Sequence, residues 1–315
     1  MDEDTSARIA EFIGRLRVAP GTDVELRRDF DPGDTTPFTR ERDSQGLLER
    51  GVKLLAQHQS RLAAQDSEGV LLVLQALDAG GKDSTIRHVM SGVNPQGVAV
   101  HSFKAPSDEE LDHDFLWRYA QKLPARGQIA IFNRSHYEEV VAVRVHRRHL
   151  ARQKLPPAAK NGDVWLRRYR QINDWERYLV ENGFRVVKIF LNLSKEEQRR
   201  RFMKRIDVPE KNWKFNAKDV VERQHWDDYQ AAFSAMLSWT STEWAPWYVI
   251  PADHKWHARV AAAAVLVHEL ADIDPQYPVL GEDARRGLLA ARAQLEAEAP
   301  NGPPPSEPAP TPRKR

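Results

Sequence analysis

The segment GVLLVLQAL, residues 69–77, followed at once by DAGGKDST, residues 78–85, constrains this chain more than any other. An unbroken apolar run of strand length, bounded by Gly69 and by the Gly80-Gly81 pair, reads as a β-strand buried on both faces. A glycine turn between that strand and helical sequence lets backbone N–H groups face a phosphate, and Lys82 adds a point charge to the same anion. The P-loop pattern G-x-x-x-x-G-K-[ST] is met in part. Ala76 stands where the first glycine belongs, and Asp83 where the metal-binding hydroxyl belongs, with Ser84 and Thr85 just beyond. The candidate phosphate cradle is therefore Ala79, Gly80, Gly81, Lys82, Asp83 and Ser84. Asp78 would repel a phosphate unless it holds Mg2+ that bridges to phosphate oxygens. The alternative is a turn or capping aspartate.

The rest of the chain alternates. Strands are expected at Val98–Phe103, Gln128–Phe132, Phe184–Leu191 and Trp247–Ile250. Helices are expected from Ser44 to Gln65, over Ser107–Gln121, over Asp163–Glu181, after Ser194, over Asp219–Trp239 and over His254–Ala271. Ser107 and Glu110 have capping-box spacing. This alternation predicts a three-layer α/β/α fold, a parallel sheet with helices on both faces, and ligands beyond the carboxyl ends of the strands. Residues 1–43 read as an N-terminal extension, with a short helix over 1–17 and turns in DFDPGDTTPF. Residues 44–280 read as the catalytic domain, and 281–315 as a helix and a Pro-rich basic tail that cannot bury a core. Trp226, Trp239, Trp244, Trp247 and Trp256 are expected in the core.

Two further segments carry chemistry. Ile129–Phe132 ends in Asn133, Arg134, Ser135, His136, Tyr137 and Glu138, where P-loop enzymes place a second metal-site acid. Asn133 is the neutral counterpart of that acid, or else a strand-end cap. Arg134 can clamp a transferring phosphoryl group, and Glu138 can touch a nucleotide or its metal. His136 has no metal-ligand partner at a useful spacing, so it is structural or a substrate hydrogen bonder. The other segment is a basic belt. Val141–Arg170 carries nine Lys/Arg, Arg144 among them as a candidate phosphate contact, against one acid, Asp163. RRRFMKRIDVPEKNWKFNAKD follows with Arg201, Lys204, Arg205, Lys211 and Lys214, broken by Pro209. Residues 200–222 read as a mobile cationic lid that closes over phosphates and excludes water; the plainer alternative is a solvated helix face.

Composition removes several classes. No cysteine is present, which excludes disulfides, thiolate zinc sites and a cysteine nucleophile. Lys+Arg 47 against Asp+Glu 45 gives a net charge of +2, so overall charge does not announce nucleic-acid binding. The basic stretch holds few aromatics placed for base stacking, chiefly Trp213 and Phe215. The acidic start, MDEDTSARIAEF, does not read as a signal peptide, and no run approaches membrane length. The expectation is a cytoplasmic protein with no nucleic-acid or membrane partner.

QALDAGGKDSTIRHVMSGVNPQGV, FNRSHYEEVVAVRVH and FMKRIDVPEKNWKFNAKDVVERQHWDDY resemble the polyphosphate kinase 2 family, and the likeness runs from about Phe30 to Pro278. The FNRSHYE form, with asparagine in the second motif, is similar to the class III branch. The resemblance implies a thymidylate-kinase-like P-loop fold with a helical lid. It also implies phosphoryl transfer between inorganic polyphosphate and AMP, ADP or ATP with Mg2+ or Mn2+, AMP and ADP both serving as acceptors. By motif, Asp78 matches the metal-associated aspartate and Lys82 the phosphate-gripping lysine. Asn133 and Arg134 match the second motif, with Asn133 beside Asp78 as a candidate metal ligand. Glu138 matches a position near the acceptor nucleotide, and Lys204, Arg205, Lys211 and Lys214 match the lid cations. Family members are commonly oligomers, so a dimer or tetramer is expected.

The physics agrees. Polyphosphate carries charge along its whole length and needs several cations in a row, whereas a nucleoside triphosphate needs fewer. A nucleotide phosphate is already ionised near neutral pH, so no general base is required. Two rivals remain at this level: an ATP-dependent nucleotide or small-molecule kinase, and a non-catalytic polyanion or RNA binder.

Overall fold

The structure is a computed structural model that describes residues 2–44 and 46–298 of the 315. The expected disordered tail, residues 300–315, lies outside the described residues. Five strands form one parallel sheet: β1 (Gly69–Gln75), β2 (Val98–Ser102), β3 (Ile129–Asn133), β4 (Phe184–Asn192) and β5 (Trp247–Pro251), in the order β2-β3-β1-β4-β5. β1 is central, and all seven of its residues are buried, as its unbroken apolar run requires. Its side chains alternate between two cores. Val70, Leu72 and Leu74 pack on the face covered by helices Leu47–Gln65 and Lys255–Ile273. Leu71 and Val73 pack on the face covered by Val164–Glu181 and Trp226–Thr240.

The described residues fall into two units, divided between Gln276 and Tyr277. Within the first, residues 2–43 are woven into the body rather than extending from it. Arg17 bridges Tyr248, and the Val18 N–H donates to the Trp247 carbonyl at 2.9 Å. Ile13, Leu16, Val18 and Leu26 are buried. In the second unit, Glu282–Ala297 is a helix with no buried residue. No helix among the described residues is long and apolar enough to cross a membrane.

Three expectations change. The single helix over 107–121 is two short ones, Asp108–Asp112 and Trp117–Ala120. The Ser107–Glu110 capping box forms, but Asp114 then accepts from the Leu116 N–H at 2.9 Å, a local turn that starts the chain afresh. The helix expected over 219–239 breaks into Ala217–Glu222, a 3-10 turn Arg223–His225 and Trp226–Thr240. Trp226 and Trp247 are core residues as expected, but Trp239 is 56% exposed, lying against Tyr169 on the outer side of its helix.

Candidate active site

The chemistry sits beyond the carboxyl ends of β1 and β3. After β1 the backbone turns through Ala79 at φ +62° and Gly81 at φ +104°. A Cβ on Gly80 would lie 2.5 Å from the Ala76 Cβ and 2.8 Å from the Leu77 carbonyl, so this turn closes only with glycine there. The Lys82 ammonium donates to the Ala76 carbonyl at 2.8 Å and the Leu77 carbonyl at 3.4 Å, folding back over its own loop. Helix Lys82–Val89 starts at once, so its electropositive amino end joins the ammonium at one place. Burial, with the Arg134 charge nearby, pulls Lys82 down to about 8.

β3 brings the second motif alongside. Asn133 is in register with Leu74 of β1 and Ser102 of β2. Its amide nitrogen donates to Asp83 Oδ1 at 2.7 Å, which ties the end of β3 to the phosphate loop. Arg134 follows at φ +62°, and its guanidinium pairs with the Asp78 carboxylate and stands 3.9 Å from Glu138. Glu138, against the opposing effect of burial and with help from Asp78, raises the Arg134 pKa. The structure thus brings Asp78, Lys82, Asp83, Asn133, Arg134 and Glu138 together from two segments some fifty residues apart.

A cavity of about 720 Å³ opens on this loop. Its described lining holds eleven lysine and arginine side chains against only two carboxylates, Asp78 and Asp83. Such a wall suits a long anion. Lys204, Arg205, Lys211 and Lys214 reach it, as expected of the lid stretch. So do Arg87, Lys104, Lys255 and Arg259, which sequence reasoning did not single out. They come from the helix after the loop, the turn after β2 and the last core helix, and only the fold gathers them. Arg144 goes elsewhere: it lies outside this lining and donates to the Tyr169 hydroxyl at 2.5 Å. Arg201 touches the cavity but is 7% exposed. Its guanidinium is committed to the carbonyls of Ala79 at 2.9 Å and Ala252 at 2.5 Å and to Glu197 at 2.8 Å. The expected lid comprises the end of helix Lys195–Asp207, a 3-10 turn Pro209–Lys214 and helix Ala217–Glu222.

A second cavity, about 40 Å³, lies on the other side of Asp78 and Arg134. Glu138, Asp219, Glu222, Trp226 and Tyr229 line it. It has room for a few waters and not for a nucleoside. Burial and the Asp78 charge push the Asp219 carboxyl up.

Beneath the FNRSHYE loop is a buried polar cluster that sequence reasoning missed. Lys188, in the middle of β4, pairs with Glu176 at 2.6 Å, and both side chains are fully buried. Lys188 also donates to the Thr240 carbonyl at 2.6 Å, and Glu176 accepts from the Tyr137 hydroxyl at 2.7 Å. The His136 ring meets Glu176 through Nε2 at 3.1 Å, which gives His136 the structural role rather than a substrate contact. Burial lowers the His136 pKa. A lysine inside the apolar run FRVVKIFLN is the one sequence signal that could have found this cluster.

No group of three or more His, Cys, Asp or Glu among the described residues could hold a metal by itself. Asp78, Asp83 and Asn133 are nevertheless hard oxygen donors facing a phosphate cradle. Such a set fits a cation that takes its remaining ligands from phosphates and water.

A central parallel sheet, a glycine loop with its lysine at the carboxyl end of β1, and an arginine after β3 together define a kinase of the P-loop class. The comparisons with known proteins narrow this. The family model described as Polyphosphate kinase 2 matches residues 39–278. The ADP-polyphosphate phosphotransferase of Rhodopseudomonas palustris is 47% identical, over 89% of this chain and 97% of that one. The AMP/ADP-polyphosphate phosphotransferase of Meiothermus ruber is 46% identical, over 84% of this chain and 95% of that one. The crystal structure of Polyphosphate Kinase 2 from Arthrobacter aurescens TC1 superposes with a TM-score of 0.78 at 39% identity, covering 90% of this chain and 96% of that one. The chain belongs to the polyphosphate kinase 2 family.

Proposed function

We propose that this protein moves the terminal phosphoryl group of inorganic polyphosphate to ADP and AMP, giving ATP and ADP. The observation that carries the reading is the cationic wall of the 720 Å³ cavity, which runs up to the Gly80–Lys82 turn. A nucleoside triphosphate would leave much of that wall unmatched. The relatives are named for ADP alone and for AMP and ADP, at nearly equal identity, so the acceptor range rests on the class III form of the second motif. The proposed compartment is the cytoplasm.

In this reading the polyphosphate end lies over the turn, gripped by Lys82 and the amino end of its helix. The nucleotide's terminal phosphate oxygen attacks in line, and the bond from the transferred phosphorus to the bridging oxygen of the next phosphate breaks. Arg134 neutralises charge on the transferring group, and Glu138 faces the acceptor side. Asp78 and Asn133 would hold Mg2+ or Mn2+, which supplies further charge neutralisation at the phosphate oxygens. Lys204, Arg205, Lys211 and Lys214 line the polyphosphate path.

The test is to incubate the protein with Mg2+, polyphosphate and AMP, then ADP, and to quantify nucleotides by chromatography. ATP and ADP formed only with polyphosphate support the reading. Use of ADP alone keeps the family activity and removes the branch. Transfer from ATP to another acceptor, with polyphosphate inert, replaces the reading with an ATP-dependent kinase.

Asn133 has its own prediction. Asn133→Asp puts a second carboxylate where the amide now donates to Asp83 at 2.7 Å. The two acids then need a shared proton or cation, so the Mg2+ concentration for half-maximal rate should shift by about tenfold. A titration that does not move makes Asn133 a strand-end tie only.

A further inference from the structure

We propose that Gln198 is a positioning residue that couples the lid segment to the phosphate loop. The proposal rests on the polyphosphate-kinase reading for its kinetic consequences. Gln198 is the one uncharged polar residue in the helix KEEQRRRFMKRID, and it is 3% exposed. Its amide nitrogen donates to the Asp78 carbonyl at 2.8 Å. Its amide oxygen accepts from Arg223 at 2.6 Å, and the same guanidinium nitrogen donates to the Lys195 carbonyl at 3.0 Å.

The chemistry of the two ends dictates the residue between them. A peptide carbonyl only accepts and a guanidinium only donates, so the link must donate at one end and accept at the other. Glutamine does both. Glutamate keeps the Arg223 end and loses the Asp78 end, and leucine loses both. The amide is buried and Gln198 and Arg223 line only the 40 Å³ cavity, so a bond lost at either end can be replaced only by one of the few waters that fit there.

The positions of the two ends give the link its function. Asp78 carries the carboxylate that faces the cradle. Arg223 lies directly after helix Ala217–Glu222, at the end of the segment that carries Lys211 and Lys214. One turn on from Gln198, Arg201 holds the next carbonyl of the loop, Ala79, at 2.9 Å. Two successive loop carbonyls are therefore held by one helix, and one of the two holders is itself held by the lid end. Displacing the 208–222 segment shifts Arg223, removes the partner of the Gln198 oxygen, and frees the amide to turn away from Asp78. The break in the 219–239 region is where Arg223 turns toward Gln198.

The test uses the full-length protein and compares Gln198→Glu, Gln198→Leu, Arg223→Ala and Gln198→Leu/Arg223→Ala. In Gln198→Glu the ion pair to Arg223 offsets part of the cost of setting a carboxylate oxygen against the Asp78 carbonyl, so the melting temperature should fall by no more than in Gln198→Leu, while kcat with ADP falls about tenfold and the polyphosphate KM stays within about twofold. Arg223→Ala should also lower kcat, but should add little in the Gln198→Leu background. Hydrogen exchange in the peptide spanning the loop should quicken in all three single variants, a readout independent of the acceptor. A wild-type kcat in Gln198→Glu, or losses that multiply in the double variant, overturns the coupling. So does a raised nucleotide KM in Arg223→Ala at unchanged kcat, which makes Arg223 a ligand contact. If the Gln198 variants do not fold, Arg223→Lys should restore most of what Arg223→Ala loses, and an Arg223→Ala protein of normal kcat and loop exchange overturns the proposal. A wild-type protein that transfers nothing from polyphosphate refutes the function reading instead, and loop exchange still decides the coupling.

Discussion

Lys82→Ala is expected to lower polyphosphate-dependent turnover by about a thousandfold while leaving the fold intact. The two expectations come from the same geometry. The ammonium donates to carbonyls of its own loop, Ala76 and Leu77, beside a large cavity. Water can take over those carbonyls, so the stability cost is small. Two adjacent cations are committed elsewhere, Arg134 to Asp78 and Arg201 to the Ala79 carbonyl, so neither is free to take the ammonium's place at the turn. Melting by circular dichroism and initial rates with ADP check both halves, and near-normal turnover would remove the phosphate-gripping role. A pH profile gives a second view of the same group. Burial and the Arg134 charge hold Lys82 at about 8, below its ordinary value, so the charged form is lost as pH rises through 8. The ratio kcat/KM for polyphosphate, which reports the free protein, should fall above that pH. Bound polyphosphate favours the charged ammonium, so the fall in kcat itself should come at higher pH. A kcat/KM that stays level well above 8 would mean that Lys82 does not contribute its charge to capture.

How far the sequence was legible depends on where the partners of each residue sit. The strand expected at 69–77, which forms as Gly69–Gln75, its glycine turn and the cap at Ser194 are local features, and the structure reproduces them within a residue or two. Asn133 and Arg134 could be placed because a strand end predicts its own position at the edge of a parallel sheet. The lid cations could be placed because four of them, Lys204, Arg205, Lys211 and Lys214, reach the cavity from one stretch. What escaped was set by residues distant in the chain. Lys255 and Arg259 join Lys82 only because the last core helix packs on β4, β5 and the helix that follows the phosphate loop. Arg201 looks like its neighbours Arg199 and Arg200 in sequence, yet it faces inward and spends its charge on carbonyls, while they remain exposed. Arg144, in a belt of nine cations, turns to Tyr169. A run of like charges therefore marks a region without saying which members face the ligand, and helical phase alone separates Arg201 from Arg200. The break at Arg223–His225 escaped for the same reason: it accompanies a contact to Gln198, 25 residues earlier.

Glu176→Gln is expected to cost about 3–5 kcal/mol of stability, the loss typical of breaking a buried ion pair by removing one partner. The substitution is nearly isosteric and keeps an oxygen for the Tyr137 hydroxyl and the His136 ring, which now reach Glu176 at 2.7 and 3.1 Å. It replaces the oxygen 2.6 Å from the Lys188 ammonium with an amide nitrogen or a weaker neutral acceptor. Burial pushes against ionisation of Glu176, but the Lys188 charge prevails and holds the carboxyl below its ordinary value. Burial pulls Lys188 down, with Glu176 opposing. Without its partner, Lys188 must stay charged in an apolar wall formed by Tyr137 and Trp247 or lose its proton, and either course destabilises the native state. Against a total of roughly 5–15 kcal/mol for a folded domain, that loss should lower the urea midpoint markedly. The effect should reach the site as well, because His136 and Tyr137 directly follow Arg134 and Ser135 on the loop that the cluster supports. Glu176→Leu combined with Lys188→Met removes both charges, and it should recover most of the stability while leaving the Tyr137 hydroxyl without its acceptor. Equal urea midpoints for wild type and Glu176→Gln would show that the pair contributes little. A double variant no better than the single one would place the cost in the Tyr137 and His136 hydrogen bonds rather than in the stranded lysine.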